Sequence, residues 1–414
     1  MKGIRYTVLT LILLTSGCAI PSQVEPEPTV LVTNDVVSIV ASPTPPESLP
    51  TFIPTATVES VHLQEPVLVT KFIFPSDYLK INDLYFIDEN NGWAVGRLDW
   101  YEPSVSSIAC CKPKIFNTTD GGKNWKEIET GITSGIINSI TFVDSMTAYA
   151  VGQEFFFGID TTAAPNATIL KTIDGGNSWV RVDGKKMSGA LLQVITTNDH
   201  QIWSVGMGLD GPQSLILRST DGLSWKIQKH PSETSGKLIA IDFSSDKVGY
   251  AVGYIGLDDA VPYIIKTIDA GESWEVLSFP YKFGRLLDVT FSDDVNGYVI
   301  GEFGEISSIA ITNDGGLSWI FKNLEPDIVP NWFTESNNRV VIFGNCWHTS
   351  TCKNLIGLFD DNEFFPFETL TLPTETITAV GNPMNDGSIT FVTNTKSETW
   401  DAQYETIFYR YNVP

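Results

Sequence analysis

Beyond about residue 67, apolar and polar positions alternate in short runs, with Gly, Asp, Asn and Ser between the runs. Alternation at period two, rich in Val, Ile, Tyr and Phe and bounded by turn residues, is the pattern of half-buried strands. No segment sustains the 3.6-residue apolar period of a helix. The runs also recur in a fixed order. Phe86, Phe142, Phe243 and Phe291 each close one run, and Thr196 holds that place in a third copy. Seven residues later an aromatic opens the next run: GWAVG at 92–96, AYAVG at 148–152, IWSVG at 202–206, GYAVG at 249–253 and GYVIG at 297–301. A variable insert follows, then a run leading into TTDGGKNW at 118–125, TIDGGNSW at 172–179, STDGLSW at 219–225, TIDAGESW at 267–274 and TNDGGLSW at 312–319. A last short run follows each Trp.

Successive phrase aspartates lie 45 to 54 residues apart. Four short strands at that interval form the period of a propeller blade. Two weaker units follow. One holds Asn331-Trp332-Phe333, Val340–Gly344 and Leu355–Phe359, and its phrase has decayed to Phe359-Asp360-Asp361-Asn362. The other holds Ile377–Val380, Ser388–Thr393 and Thr406–Tyr411, and lacks a fourth strand. Val67–Phe74 is the candidate for that strand, since pairing it there closes a ring and leaves no free sheet edge. The expected fold is all-β: a seven-bladed β-propeller over 67–414, of four-stranded antiparallel blades closed by an N-terminal strand.

In physical terms the phrase is a tight turn between two strands. The carboxylates of Asp120, Asp174, Asp221, Asp269 and Asp314 accept nearby backbone N–H groups, as in an Asx turn. A following Gly supplies a backbone conformation costly to other residues. Trp125, Trp179, Trp225, Trp274 and Trp319 return to the sheet, each burial worth roughly 1.5–3 kcal/mol. Five aspartates on five blades are spread around a ring and do not converge on one ligand, so the reading is structural.

The phrase resembles the Asp-box, or BNR, repeat of sialidases, sortilin-type receptors and several glycoside hydrolases. The pairing of aromatic-Ala-Val-Gly with Thr-x-Asp-Gly-Gly-x-x-Trp is similar to the photosystem II stability/assembly factor family of cyanobacteria and chloroplasts. That resemblance spans about 67–414 and implies a seven-bladed propeller that binds protein outside the cytoplasm. The family's binding surface is arginine-rich. This chain has seven arginines, so no binding residue is carried over.

The start of the chain changes the picture further. Lys2 and Arg5 precede an apolar run, Val8–Leu14, and then Thr15-Ser16-Gly17-Cys18. This reads as a secretory signal, and it resembles a bacterial lipoprotein signal, with Thr15 standing where that pattern prefers Leu, Val or Ile. The resemblance implies removal of residues 1–17, lipid on Cys18, and a membrane-anchored, extracytoplasmic protein. Residues 18–66, rich in Pro and Thr, form an extended spacer. Loss of residues 1–17 leaves 24 bases against 49 acids. So acidic a chain is not expected to bind nucleic acid. The other cysteines are Cys110, Cys111, Cys346 and Cys352. Cys346 and Cys352 enclose a short loop and suit a disulfide outside the cytoplasm, while the pairing of the adjacent Cys110 and Cys111 stays open.

Candidate chemistry is sparse. A sialidase gathers three arginines on its substrate and opens with Arg-Ile-Pro, which is absent here. With 49 acids, carboxylate pairs arise by chance and do not mark a glycosidase. His62, His200, His230 and His348 share no metal spacing. No cofactor, metal or catalytic residue is therefore expected. Aromatics concentrate instead on the inserts, on the ring face opposite the Asp turns. The candidate binding face comprises Arg97, Trp100, Tyr101, Phe155, Phe156, Phe157, Tyr254 and Trp347. The expected role is a non-enzymatic scaffold or assembly factor, monomeric itself, for another protein or membrane complex. The alternative is a carbohydrate-active propeller, hydrolytic or glycan-binding. Convergence of Arg97, Arg218 and Arg285 with acids in a central pocket would favour that alternative.

Overall fold

The computed structural model describes residues 66–74, 78–99, 111–155, 164–182, 187–209, 214–231, 236–256, 259–303, 306–324, 328–337, 339–346, 355–360, 363–364, 376–396 and 404–413. The chain divides into two units, Met1–Glu59 and Ser60–Pro414, and all described residues lie in the second. Cys18, Trp100, Tyr101, Cys110, Phe156, Phe157, Trp347 and Cys352 lie outside them, as does the side chain of Cys346.

Every regular element among the described residues is a strand. Five sheets have four antiparallel strands in chain order, and a further sheet has eight. The innermost strands are Tyr78–Phe86, Gly135–Phe142, Gly189–Thr196, Gly236–Phe243, Gly284–Phe291, Ile328–Ser336 and Thr376–Pro383. Each neighbours the next, and Thr376–Pro383 neighbours Tyr78–Phe86. In the eight-stranded sheet Val67–Phe74 pairs with Tyr404–Asn412 in the last unit, while Gly381 meets Leu84 of the first unit in a parallel bridge. This is an all-β architecture consistent with a β-propeller.

One irregularity repeats in every unit. Each innermost strand carries a bulge at the same place, so that Asn82, Asn138, Leu192, Ile239, Leu287, Asn331 and Thr378 are skipped by the pairing register. The Gly that ends aromatic-Ala-Val-Gly makes room for it. A Cβ on Gly96, Gly152, Gly206, Gly253 or Gly301 would lie 1.9–2.1 Å from a carbonyl oxygen of the bulging strand. A bulge also re-aims the side chain beside it, and here that chain stitches one unit to the next. Ile140 N donates to Asp83 Oδ2 (2.9 Å), Val194 N to Ser139 Oγ (3.2 Å), Ile241 N to Gln193 Oε1 (2.6 Å) and Phe333 N to Asp288 Oδ2 (2.8 Å). Where Ala240 occupies the equivalent position, Asp242 takes over and accepts from Phe291 N at 2.8 Å.

The last two joints use amides. Asn345 bonds both the N–H and the C=O of Ile377, and Asn382 both those of Phe86. Inner strands that diverge too far for a full ladder thus still satisfy their backbone. Asn382→Ala is expected to cost about 1–3 kcal/mol, because two main-chain groups lose their partner. Urea denaturation checks this, and a change under 0.5 kcal/mol would count against the stitch.

The core is divided in the same way. Each apolar cluster bridges two consecutive units: Trp93 and Val95 with Ile137 and Ile140, Tyr149 and Val151 with Leu191 and Val194, and so on to Leu79 and Leu84 with Ala379 and Phe408. Stability therefore resides in the joints between sheets.

Candidate functional site

The phrase turns occupy one end of each of the first five units. In the first copy Thr118 Oγ1 donates to Asp120 Oδ1 (2.9 Å) and accepts from Gly122 N (2.9 Å). Asp120 Oδ1 then accepts from Asn124 N at 2.9 Å, and its Oδ2 from Asn124 Nδ2 at 2.7 Å. Copies two, four and five repeat this with Ser178, Ser273 and Ser318 as the last donors. In the shorter third copy Asp221 reaches Leu223 N and Ser224 N. The leading Thr or Ser is a hub that sequence reasoning passed over. Its signal was available, since a hydroxyl stands two residues before every phrase Asp. Bonds from Asn124, Ser178 and Ser318 hold Asp120, Asp174 and Asp314 ionised down to about 2. Such carboxylates are poor proton donors or acceptors near neutrality.

The phrase also reaches outward. A Cβ on Gly176 would lie 2.2 Å from Trp93 Nε1, one on Gly222 1.6 Å from the Tyr149 hydroxyl, and one on Gly271 2.1 Å from Trp203 Cη2. Each contact joins a phrase to the aromatic of the preceding unit. At the first phrase Arg410 of the last unit serves instead, donating to Gly121 O at 3.0 Å. The phrase Trp adds to this contact, Trp225 meeting Tyr149 and Trp274 meeting Trp203 edge-on. The two signatures seen in sequence are thus halves of one joint.

At the centre, inner-strand side chains line a cavity of about 320 Å³. Six bulge residues reach it: Asn82, Asn138, Leu192, Ile239, Leu287 and Asn331. They are not randomly placed. Leu192, Ile239 and Leu287 occupy consecutive units, and the amides occupy the others. Asp83, Asp288 and Lys237 also line it. Burial raises Asp83 and Asp242 to about 6 and Asp288 to about 7, against the lowering effect of their backbone N–H partners.

The candidate binding face is only partly described. Arg97 and Tyr254, expected on inserts, lie within strands Gly92–Asp99 and Gly249–Ile255. These strands continue past the motif glycine because Arg97 still pairs with Lys80 and Pro113, and Tyr254 with Lys237 and Pro262. Arg97 is held by Asp99 at 2.8 Å. Phe155 directly follows strand Ala148–Glu154, and its N donates to Ser134 O. Tyr254 carries two cations on its ring, Lys237 Nζ at 5.2 Å and Arg285 Cζ at 5.1 Å. Arg218 packs on Trp203 and pairs with Glu272. Arg97, Arg218 and Arg285 therefore have separate partners, and none of them lines the cavity. Cys111 is buried and disulfide-bonded, and its partner sulfur is not among the described side chains. Among the described residues no three His, Cys, Asp or Glu side chains gather as a cation would require.

Repeated four-stranded sheets around a central cavity define a β-propeller. Solved structures agree. The chain is similar to YCF48 bound to D1 peptide, with a TM-score of 0.53 and 16% identity over 86% of this chain and 100% of that one. It is also similar to the β-propeller domain of the Trilobed protease from Pyrococcus furiosus, described as having an open velcro topology (TM-score 0.51, 12% identity, 81% and 93% covered). A third match is a protein of unknown function from Dyadobacter fermentans (TM-score 0.50, 12% identity, 84% and 99% covered). No protein-family model and no curated protein matches the chain. At these identities the likeness is one of fold, and a fold hosts many activities.

Proposed function

We propose that the chain is a seven-bladed propeller, closed by Val67–Phe74, that works as a protein-binding scaffold outside the cytoplasm. In this reading residues 1–17 direct export, lipid on Cys18 anchors the protein, and residues 18–66 hold the propeller away from the membrane. The partner docks on the insert face, with no bond chemistry. One observation carries the proposal: the repeats spend their regular residues on joints, and leave the non-repeating inserts as the variable surface of a rigid ring. YCF48, which shares the fold, has been solved with a D1 peptide bound, an example of a propeller of this kind taking a polypeptide.

The carbohydrate-active alternative draws on Asp83 and Asp288, two carboxylates on one cavity. Both already accept backbone N–H groups across joints, a structural duty that a proton-transferring acid would have to leave. The scaffold reading is therefore preferred.

Crosslinking in native membranes followed by mass spectrometry tests it. A specific protein partner is expected, with at least a tenfold lower yield for the Trp100→Ser/Tyr101→Ser variant. Recovery of glycans alone, or an unchanged yield from the variant, would remove the scaffold reading. Metabolic labelling with a fatty acid, expected for the chain and absent in Cys18→Ser, tests the anchor separately.

A further inference from the structure

Two residues before each bulge the innermost strands carry one further side chain apiece; of these Lys237 lines the cavity, and Arg285 meets it over the Tyr254 ring. Three of these are cations, Lys80, Lys237 and Arg285, and none is acidic. The chain as a whole carries 49 acids and 26 bases, so this ring inverts the charge of its surroundings. Lys80 is half-buried beside Arg97, and burial, then Arg97, lowers its pKa. Lys237 and Arg285 differ. They share the Tyr254 ring, and neither lies within ion-pair distance of a carboxylate among the described residues. Glu302, opposite Arg285 in the strand register, is exposed and forms no such pair.

In the units that carry Lys237 and Arg285, and in the unit before them, the bulge residues on the cavity are apolar: Leu192, Ile239 and Leu287. Asp83 and Asp288 also line the cavity, with oxygens engaged by backbone N–H groups of Leu84, Ile140, Val289 and Phe333. An anion is thus favoured at the mouth and disfavoured beside these carboxylates. The volume of about 320 Å³ is at the small end of ligand sites, which run from about 300 Å³.

We propose that this mouth binds a carboxylate carried on an apolar chain. Lys237 and Arg285 hold the carboxylate by charge-assisted hydrogen bonds, and the apolar tail lies along Leu192, Ile239 and Leu287. The ring of Tyr254 holds the two cations together, at distances where cation–π attraction operates. The site is independent of whether a protein docks on the surrounding inserts.

Isothermal titration calorimetry on the full chain tests this with four probes: octanoate, N-acetylleucine, octanol and octylamine. Octanoate is expected to bind at least about tenfold more tightly than octanol or octylamine, a difference of about 1.4 kcal/mol. N-acetylleucine mimics a polypeptide chain end. Its binding more tightly than octanoate would assign the carboxylate to a chain end, and the reverse order to a free acid. Lys237→Met/Arg285→Met should lower octanoate affinity at least tenfold, while Tyr254→Phe, which keeps the ring, should change it less than threefold. If the double variant loses its near-UV spectrum, Ile239→Asn replaces it and should weaken octanoate by a similar factor. Equal binding of octanol or octylamine, no binding by either acid, or undiminished octanoate binding by a folded variant would overturn the proposal.

Discussion

Replacing Gly271 with alanine is expected to destabilise the protein by about 2–5 kcal/mol, whereas Gly131→Ala should cost only about 1–2 kcal/mol. Both glycines have positive φ, 77° and 71°, so both variants incur the backbone penalty. They differ in surroundings. A Cβ on Gly271 meets Trp203 at 2.1 Å, and one on Gly131 meets nothing within 4 Å. The difference between the variants therefore reports the joint between the third and fourth units, freed of the turn's own conformational preference. Urea denaturation of the two proteins measures it. Adding Trp203→Leu to Gly271→Ala should recover part of the loss, because the clash is shared by that pair. Equal losses for Gly271→Ala and Gly131→Ala would mean that the phrase serves its own hairpin alone.

Stability is expected to rise on acidification from pH 7.5 to about pH 5 and to fall again below about pH 4. Asp83 and Asp242 titrate at about 6 and Asp288 at about 7 in the folded state, against about 3.9 when unfolded. Between those limits the folded chain binds more protons than the unfolded one, so lowering the pH favours folding. Asp120, Asp174 and Asp314 act in the opposite sense. Held at about 2 by their hydrogen bonds, they contribute stability above pH 4 that is lost as the pH falls through 2. Because Asp83 and Asp288 line the cavity and are not sealed in the apolar core, the acid gain is about 2–4 kcal/mol for the three together. Relief of repulsion in a chain of net charge −23 adds in the same direction. Asp288→Asn separates the two causes, since it removes one titrating group and should flatten the slope between pH 5 and 7.5. Urea midpoints that stay level or decline from pH 7.5 to 5 would contradict the assignment of the inner aspartates.

Much of the architecture was legible because its parts repeat. Alternation located the strands, and two signatures at constant spacing marked the units, including weak ones around Trp332 and Ile377. What escaped was how the units meet. The aromatic of GWAVG and the glycines of TIDGGNSW read as features of separate hairpins, yet Trp93 lies against Gly176 in the next unit. No local pattern reports a contact between segments so far apart in the chain. The bulges were hidden for another reason. An extra residue in a strand leaves composition and turn chemistry unchanged, and only its partner, the Gly of aromatic-Ala-Val-Gly, shows it. The cavity inherits that blindness, since its lining is set by the bulges. Arg97 and Tyr254 were noticed as unusual residues but placed on inserts, because the motif glycine looked like a strand end rather than the point where the partner strand swells.

The bulges have a consequence for how such a fold can diversify. A bulged residue sits outside the ladder, so its side chain can change while the pairing on either side stays in register. Positions 82, 138, 192, 239, 287 and 331 therefore behave as one mutable address in each of six repeats, all opening on a common space. Duplication of a unit copies the joint and the address together, after which substitution at the address alone alters the lumen. A propeller of this kind can exchange its inner chemistry residue by residue, and a combinatorial library restricted to those positions should remain largely folded.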